Sequence, residues 1–353
     1  MAQSTDTGSA IERFLKNTKM AAELDAYYAY DLGTSVERDF NDRQLTGVAA
    51  FNNEFRLNLL SLEMAHQTDD YRFGIRLRYG DVPLLLIPVD KQYTRYLQLA
   101  YMGVAFSSKT WVDIGCLNNP IGFEGTNSAN WLCSNSVAGY CEPGGIIGVR
   151  VTQQCTDNLS LAIGLYNSYS IISANNTNKS IIASVNWTPT DNVSMAYNTS
   201  IGDEAPSGTQ EQLQSFNNLY VSWSPFDRLD VIAQADAALQ KNSKNLNPDS
   251  THSGTASFVS GVLALRYRIS DKLYASCFVE AMNDPSGFIT NGAAGSSGRL
   301  HTNGFALGLR YLPTPNTFLR LEYSFLKADQ NIFLHKDNDR GSIIFSAGIR
   351  LEN

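Results

Sequence analysis

Arginines at alternate positions of an otherwise apolar segment are the first candidates for chemistry. In Tyr71-Arg72-Phe73-Gly74-Ile75-Arg76-Leu77-Arg78-Tyr79 the odd positions are aromatic or aliphatic, and the even ones are arginine or glycine. A side-chain period of two is that of a β-strand, so the guanidiniums share one face; a helix would mix the two sets. The same parity sets Arg56, Arg150, Arg266, Arg268, Arg310, Arg320 and Arg350 opposite the apolar residues of their own segments. Glu63, Asp113, Asp230, Asp236, Glu280 and Glu322 share that polar face. A guanidinium holds carboxylate or phosphate bidentately, and a file of them favours the entry of anions. The competing use is structural: each arginine pairs with an acid and stiffens a wall. Arg72, Arg76 and Arg78 are the best candidates for a basic ladder.

Such segments recur in pairs. Turns such as Trp187-Thr188-Pro189-Thr190-Asp191-Asn192-Val193, Trp223-Ser224-Pro225-Phe226-Asp227-Arg228-Leu229, Arg268-Ile269-Ser270-Asp271-Lys272-Leu273 and Tyr311-Leu312-Pro313-Thr314-Pro315-Asn316 join them. Pro, Asp, Asn and Ser each favour turn geometry for their own reason, so these read as hairpins. Seven short turns alternate with long gaps. The alternation predicts strands near 21–31, 54–67, 70–80, 93–106, 110–118, 144–155, 158–168, 179–188, 191–201, 216–224, 228–240, 256–269, 272–283, 301–312, 316–326 and 341–351. The expected fold is all-β, a transmembrane antiparallel up-and-down β-barrel of about sixteen strands, with both termini on the short-turn side. Leu57 and Leu59 lie on the opposite parity to Leu60, Leu62 and Met64, which predicts a bulge near Leu59 or a strand protruding from the membrane.

Composition agrees with two solvents, one on each face. Among 353 residues, 43% are hydrophobic and only 17% charged, yet mean hydropathy is -0.21. Alternation of lipid-facing and water-facing residues produces that combination without any wholly apolar stretch long enough for a spanning helix. Tyr71, Trp187, Trp223 and Tyr311 sit beside short turns on the apolar parity, where an interfacial aromatic girdle belongs. A soluble β-sandwich with core aromatics is the alternative. The net charge of -7 suggests neither nucleic-acid binding nor a polybasic membrane-surface site. The chain opens without a basic segment followed by an apolar one, and reads as a mature sequence whose export signal has been removed.

The connection 117–143 carries Gly122, Phe123, Glu124, Trp131, Cys133 and Cys141. Loops of this length are usually functional, and it is expected to fold into the lumen as a constriction. Whether Cys133 and Cys141 form a disulfide or stay as free thiols remains open, because five cysteines leave at least one unpaired. Residues 1–20 form a separate N-terminal segment in this reading, and 21–353 the barrel. Ser9-Ala10-Ile11-Glu12 has capping-box spacing, so the segment is either a short helix partly plugging the pore or a frayed end. The four histidines show no metal-ligand spacing, and no nucleophile or phosphate-loop motif is present. No cofactor is expected.

Ala22-Glu23-Leu24-Asp25-Ala26-Tyr27-Tyr28-Ala29-Tyr30-Asp31 and Asn53-Glu54-Phe55-Arg56-Leu57-Asn58-Leu59 resemble the opening of the β-barrel porin-2 (OmpL-like) family of Gram-negative bacteria. Trp111-Val112-Asp113-Ile114-Gly115, Ile121-Gly122-Phe123-Glu124, Asn130-Trp131, Glu280 with Asn283-Asp284, and Leu319-Arg320-Leu321-Glu322-Tyr323 are similar in type and order. The resemblance spans nearly the whole chain and implies an outer-membrane porin and little more; at sixteen strands side chains cannot fill the interior, so a lumen passing small hydrophilic solutes is expected, with membrane lipid around it and a homo-oligomer by analogy with trimeric porins. Two features depart from outer-membrane barrels: the cysteines, and an ending in Ile349-Arg350-Leu351-Glu352-Asn353 without a terminal aromatic. Anion preference is the expectation from the arginines. The alternative is an adhesin or receptor barrel acting through its long loops, and a third reading places an enzyme site on the rim near His301 and His335.

Overall fold

The computed structural model describes residues 10–32, 45–86, 94–125, 130–168, 176–244, 254–290, 298–333 and 337–353. A short helix α1 (Ala10–Lys16) precedes β1 (Thr18–Leu32), β2 (Phe55–Gln67) and β3 (Tyr71–Tyr79). Helix α2 (Asp81–Leu86) and a 3-10 turn (Thr94–Tyr96) lead to β4 (Leu97–Ser107) and β5 (Thr110–Leu117). Helix α3 (Val137–Cys141) lies before β6 (Ile146–Thr156), β7 (Leu159–Tyr166), β8 (Ser180–Thr190), β9 (Val193–Asp203) and β10 (Leu213–Phe226). There follow β11 (Leu229–Gln240), β12 (Ala256–Ser270), β13 (Leu273–Asp284), β14 (Leu300–Tyr311), β15 (Thr317–Ala328) and β16 (Asp339–Glu352).

Each strand pairs antiparallel with its neighbours in sequence, and β1 pairs with β16 from Ala21↔Glu352 to Leu32↔Gly341, closing the sheet. Closure leaves no strand edge, and in hydrocarbon an edge would strand polar backbone groups. The seven tight turns all lie at one end. Several carry a bulge just before the turn, as between Trp187 and Thr190, Trp223 and Phe226, and Arg268 and Ser270. The extra residues let prolines such as Pro189 and Pro225 sit in strands without breaking the ladder. Thr190 Oγ1 donates to Asn192 Oδ1 (2.7 Å), fixing one turn by its own side chains.

Parity holds around the barrel. Met102, Phe106, Ile114, Ile163, Val279, Leu307 and Phe345 point outward and are exposed, as are Tyr71, Trp187, Trp223 and Tyr311 beside the tight turns. The bulge falls next to the expected position: β1 passes from Asp25↔Leu59 to Ala26↔Leu57, so Asn58 is the inserted residue. Both Asn58 and Leu59 then turn inward and are buried, Asn58 donating to Asp25 Oδ2 (2.8 Å).

The N-terminal segment differs from expectation. β1 starts at Thr18, so the barrel begins before residue 21. Helix α1 neither frays nor plugs the lumen. Its Phe14 stacks at 4.7 Å on His66, which pairs across the sheet with Phe73 on the outward parity. Thr18 Oγ1 donates to Phe14 O (2.6 Å) and meets His66 Nδ1 (2.8 Å). His66 is therefore only 3% exposed despite facing outward. Ile11 and Leu15 remain exposed beside it. A polar lumen offers nothing to the apolar stripe of α1, whereas the outer rim offers an aromatic patch.

Candidate functional site

Three apolar clusters inside the barrel explain how the lumen is narrowed. The inward residues Phe216, Ala238, Phe258, Met282, Leu300 and Leu326 come from successive strands β10–β15, at their long-loop ends. Ile121, Val137 and Cys141 of the 118–145 loop pack on them. Lower down, Leu132 and Ala138 pack on Ile232, Val262, Ala264, Phe278 and Ala306, with Phe123 and Trp131 alongside. Cys133 packs on Tyr27, Ala29 and Ile344, together with Ala49 of the first long loop. A wall that must be polar for a water-filled lumen is here apolar along β10–β16, because a loop covers it.

Polar anchors fix that loop in register. Glu322 accepts from the backbone N–H of Cys133 and of Ser134 (3.0 Å) and from Ser134 Oγ. Glu280 accepts from Val137 N–H at the start of α3. Asn218 Oδ1 and Gln234 Oε1 accept from Gly122 and Phe123 N–H, both at 3.1 Å. Arg320 Nη1 donates to Leu132 O (2.9 Å), while Nη2 binds Asp25 (2.8 Å) and Nε binds Ser346 Oγ (2.8 Å). Backbone groups buried without such partners would each cost about 1–3 kcal/mol.

Within the loop, Glu124 accepts from Ser136 N–H and Ser136 Oγ (2.6 Å), and Ser136 Oγ in turn caps α3 through Gly139 N–H. Burial pushes the Glu124 carboxyl up to about 7 against those hydrogen bonds. Burial, then the neighbouring Asp236 and Glu124, hold Glu142 well above the usual carboxylate range. Gly122 has φ +88, and a Cβ there would collide with the Glu142 carboxylate, so only glycine fits.

The arginines divide into two groups. Arg72 grips Asp113 with two bonds of 2.7 Å, and Arg150 shares the same carboxylate at 3.4 Å. Arg76 holds Glu63 at 2.6 Å, and Arg56 joins Asp81 (2.7 Å) and Glu54 (2.8 Å). These side chains on β2, β3 and β6 stay partly open to the interior, on the wall the loop does not cover. Arg78 is buried and its Nε donates to Arg95 O (3.2 Å). On the covered side, Arg266 pairs with Asp230 (2.8 Å), Arg268 donates to Asp227 O (3.0 Å), and Arg350 reaches Glu23 (3.1 Å) and Glu352 (3.0 Å). Arg310 makes no ion pair or hydrogen bond among the described residues.

Three of the expected lining residues are corrected, the first being Arg78, which is buried against the Arg95 carbonyl and does not extend the ladder of Arg72 and Arg76. Glu322 and Arg320 are 1% and 3% exposed and serve as anchors beneath the loop, where no solute reaches them. The Cys133–Cys141 bridge is not made: both thiols are free and buried in separate clusters. Burial, then the nearby Glu322 charge, pushes Cys133 up to about 12. His301 lies on the outward parity of β14, opposite Asn283, and His335 falls outside the described residues, as do 126–129 of the loop.

The family profile described as "Putative beta-barrel porin-2, OmpL-like" matches residues 17–351. The chain belongs to that family.

No curated protein matches this porin-2 chain. Among solved structures, the anion-selective porin of Comamonas acidovorans aligns at 11% identity with a TM-score of 0.60, covering 95% of this chain and 99% of that one. OprB of Pseudomonas putida aligns at 12% identity and TM-score 0.60, covering 99% and 97%. OmpT of Vibrio cholerae aligns at 9% and 0.56, covering 95% and 97%. At such identity they share the fold alone. Family and architecture make this an outer-membrane porin-type barrel.

Sequence reading of the porin-2 chain missed the anchors Asn218, Gln234 and Ser136, and the inward packing of residues 45–53. Asn218 and Gln234 share the inward parity of Asp236, which the alternation already displayed. Thr46 Oγ1 donates to Asn135 Oδ1 (3.1 Å), tying the first long loop to the constriction; no local signal foretells that contact.

Proposed function

We propose that this barrel is a channel for passive diffusion of small hydrophilic solutes and that it prefers anions. The observation that carries the reading is asymmetric: the 118–145 loop is seated on β10–β16, while Arg72, Arg76 and Arg150 on β3 and β6 keep part of their surface exposed. Asp113 serves two guanidiniums there, a local excess of one positive charge away from the long-loop end, where Arg56 faces two acids. Paired arginines still present N–H donors to a passing anion, whereas a neutral pair adds little repulsion of cations. The pairing also means that preference, not strict selectivity, is expected.

Reversal potential across a potassium chloride gradient in planar bilayers tests this. The parent should reverse toward the chloride potential. Arg76→Ala should move the potential toward cation preference, because the neutral pair becomes the single negative charge of Glu63. Absence of ohmic steps would dispose of the channel, and a cation-favouring potential unchanged by Arg76→Ala would dispose of the anion preference.

A further inference from the structure

The chain places three guanidiniums on the covered wall without enough acid to match them. Across the sheet near the tight-turn end, Arg268 faces Tyr274, Tyr274 faces Arg310, and Arg310 faces Arg320. Like charges directly opposed on neighbouring strands destabilise one another. Arg320 is compensated by Asp25, and Arg266 by Asp230. Arg310 has no such partner, and its Nε is buried without a hydrogen bond. Of the charged groups that act on it, Arg320 and Arg266 repel, and Glu23, the attracting acid, is engaged by Arg350 at 3.1 Å.

Ring and loop residues stand about Arg310. Phe318 is one, with Arg310 5.4 Å and Arg320 4.8 Å from the ring centroid. Leu132 of the constriction loop sits against Gly308, the next inward position above Arg310, where a Cβ would collide with it. Trp131 of the same loop lies 4.7 Å from the Arg266 guanidinium, and Tyr274 lies 5.7 Å from it. The Tyr274 hydroxyl makes no hydrogen bond among the described residues. Arg310 itself is half-buried and still open to the lumen.

A cation left in a low-dielectric wall beside two others is costly unless a counter-charge arrives from solution. We infer that Arg310 is the centre of an oxyanion-binding site beneath the constriction loop, taking the carboxylate or phosphate group of a small solute. The planar fork of Arg310 donates to either group, Tyr274 supplies a further donor, and the ring of Phe318, with Trp131 beside Arg266, favours a solute with a flat or apolar body. The site lies on the tight-turn side of the narrowing, one residue inside the end of β14 as Arg72 is inside that of β3, so an anion that has passed Arg76 and Arg150 meets it there. This proposal deepens the anion-preferring channel reading and rests on it for its physiological meaning, though the binding itself does not require conduction.

Calorimetric titration and thermal unfolding of the detergent-solubilised full chain test the site, with inorganic phosphate and benzoate as separate probes. At least one probe should bind the parent and raise its unfolding temperature. Arg310→Gln should weaken that binding by about tenfold or more, as expected when one bidentate charged contact is lost. Without probe it should be no less stable than the parent, since it removes an uncompensated charge. Arg310→Lys should bind more weakly than the parent but more tightly than Arg310→Gln. Arg299→Gln, which removes an exposed rim charge paired with Asp329, should leave binding unchanged. Phosphate binding alone would assign the site to phosphorylated solutes, and benzoate binding alone to carboxylates. Failure of both probes, or equal binding by the parent and Arg310→Gln, would overturn the site even if the barrel conducts. Arg310-dependent binding by a barrel that never conducts would keep the site and remove the channel.

Discussion

Replacing Glu322 by glutamine should loosen the constriction loop, and the size of the effect follows from the three hydrogen bonds its carboxylate accepts from Cys133 and Ser134. A glutamine keeps the shape but offers one acceptor oxygen and turns an amide N–H₂ toward groups that are themselves donors. Hydrogen bonds to a charged group contribute about 1.5–3 kcal/mol each, so losing two and retaining a neutral third costs about 3 kcal/mol after partial relaxation. At about 1.4 kcal/mol per factor of ten, the lifted state of residues 131–136 becomes roughly a hundredfold more populated. Cys133 reports that state directly, because it is 1% exposed when the loop is seated and reacts with a small maleimide only when the loop lifts. Following each cysteine by mass spectrometry supplies internal controls: Cys116, buried between wall residues Leu97, Ala100 and Ile147, should keep its rate. Larger and noisier conductance steps should accompany the faster labelling. A change of roughly threefold or less, equivalent to under about 1 kcal/mol, would refute the assignment of Glu322 as the anchor of this segment.

Seating of the loop should depend on pH through Glu124 and Glu142. Both carboxyls are raised by burial, Glu124 to about 7, so their contribution is complete below the ordinary carboxylate value near 4.5 and fades as pH rises through about 7. Conductance noise should therefore grow from pH 5 to pH 8, and Glu124→Gln with Glu142→Gln should flatten the profile; a parent profile already flat would count against it. Gly115→Ala should lower the temperature at which the barrel loses its folded gel mobility, since φ is +134 and a Cβ would collide with the Ala100 carbonyl, a strain of about 1–3 kcal/mol. Unchanged mobility loss would show that β4 and β5 adjust freely there. Phe14→Ala should release α1 from His66 and abolish hydrogen-exchange protection over residues 10–16 while β1 stays protected; loss of protection across β1 as well would mean that the helix supports the barrel instead of resting on it.

How far the chain could be read from its letters depended on the range of the interaction. Tyr71 to Tyr79 show their two faces because successive side chains on a strand point in opposite directions, a property of the backbone that needs no partner. For the same reason sixteen strands, seven tight turns and the inward face of each arginine were legible, as was the irregularity at Asn58–Leu59 where the parity slips. Parity tells which face a residue occupies and nothing about what covers it. Arg76 and Arg320 look alike along the sequence, yet one stays partly exposed beside Glu63 and the other lies sealed under Leu132.

The amino-acid order by itself therefore determined a closed antiparallel barrel with lipid on one side and a charged lumen on the other, since alternation and turn chemistry are local. Only the tertiary structure decided which wall the 118–145 loop covers, that Glu322 and Arg320 hold it, that Cys133 and Cys141 stay apart, and that α1 rests outside the barrel. Those outcomes depend on contacts between residues about 50 to 300 positions apart, brought together by the fold, and no periodicity in the chain records which partners it supplies.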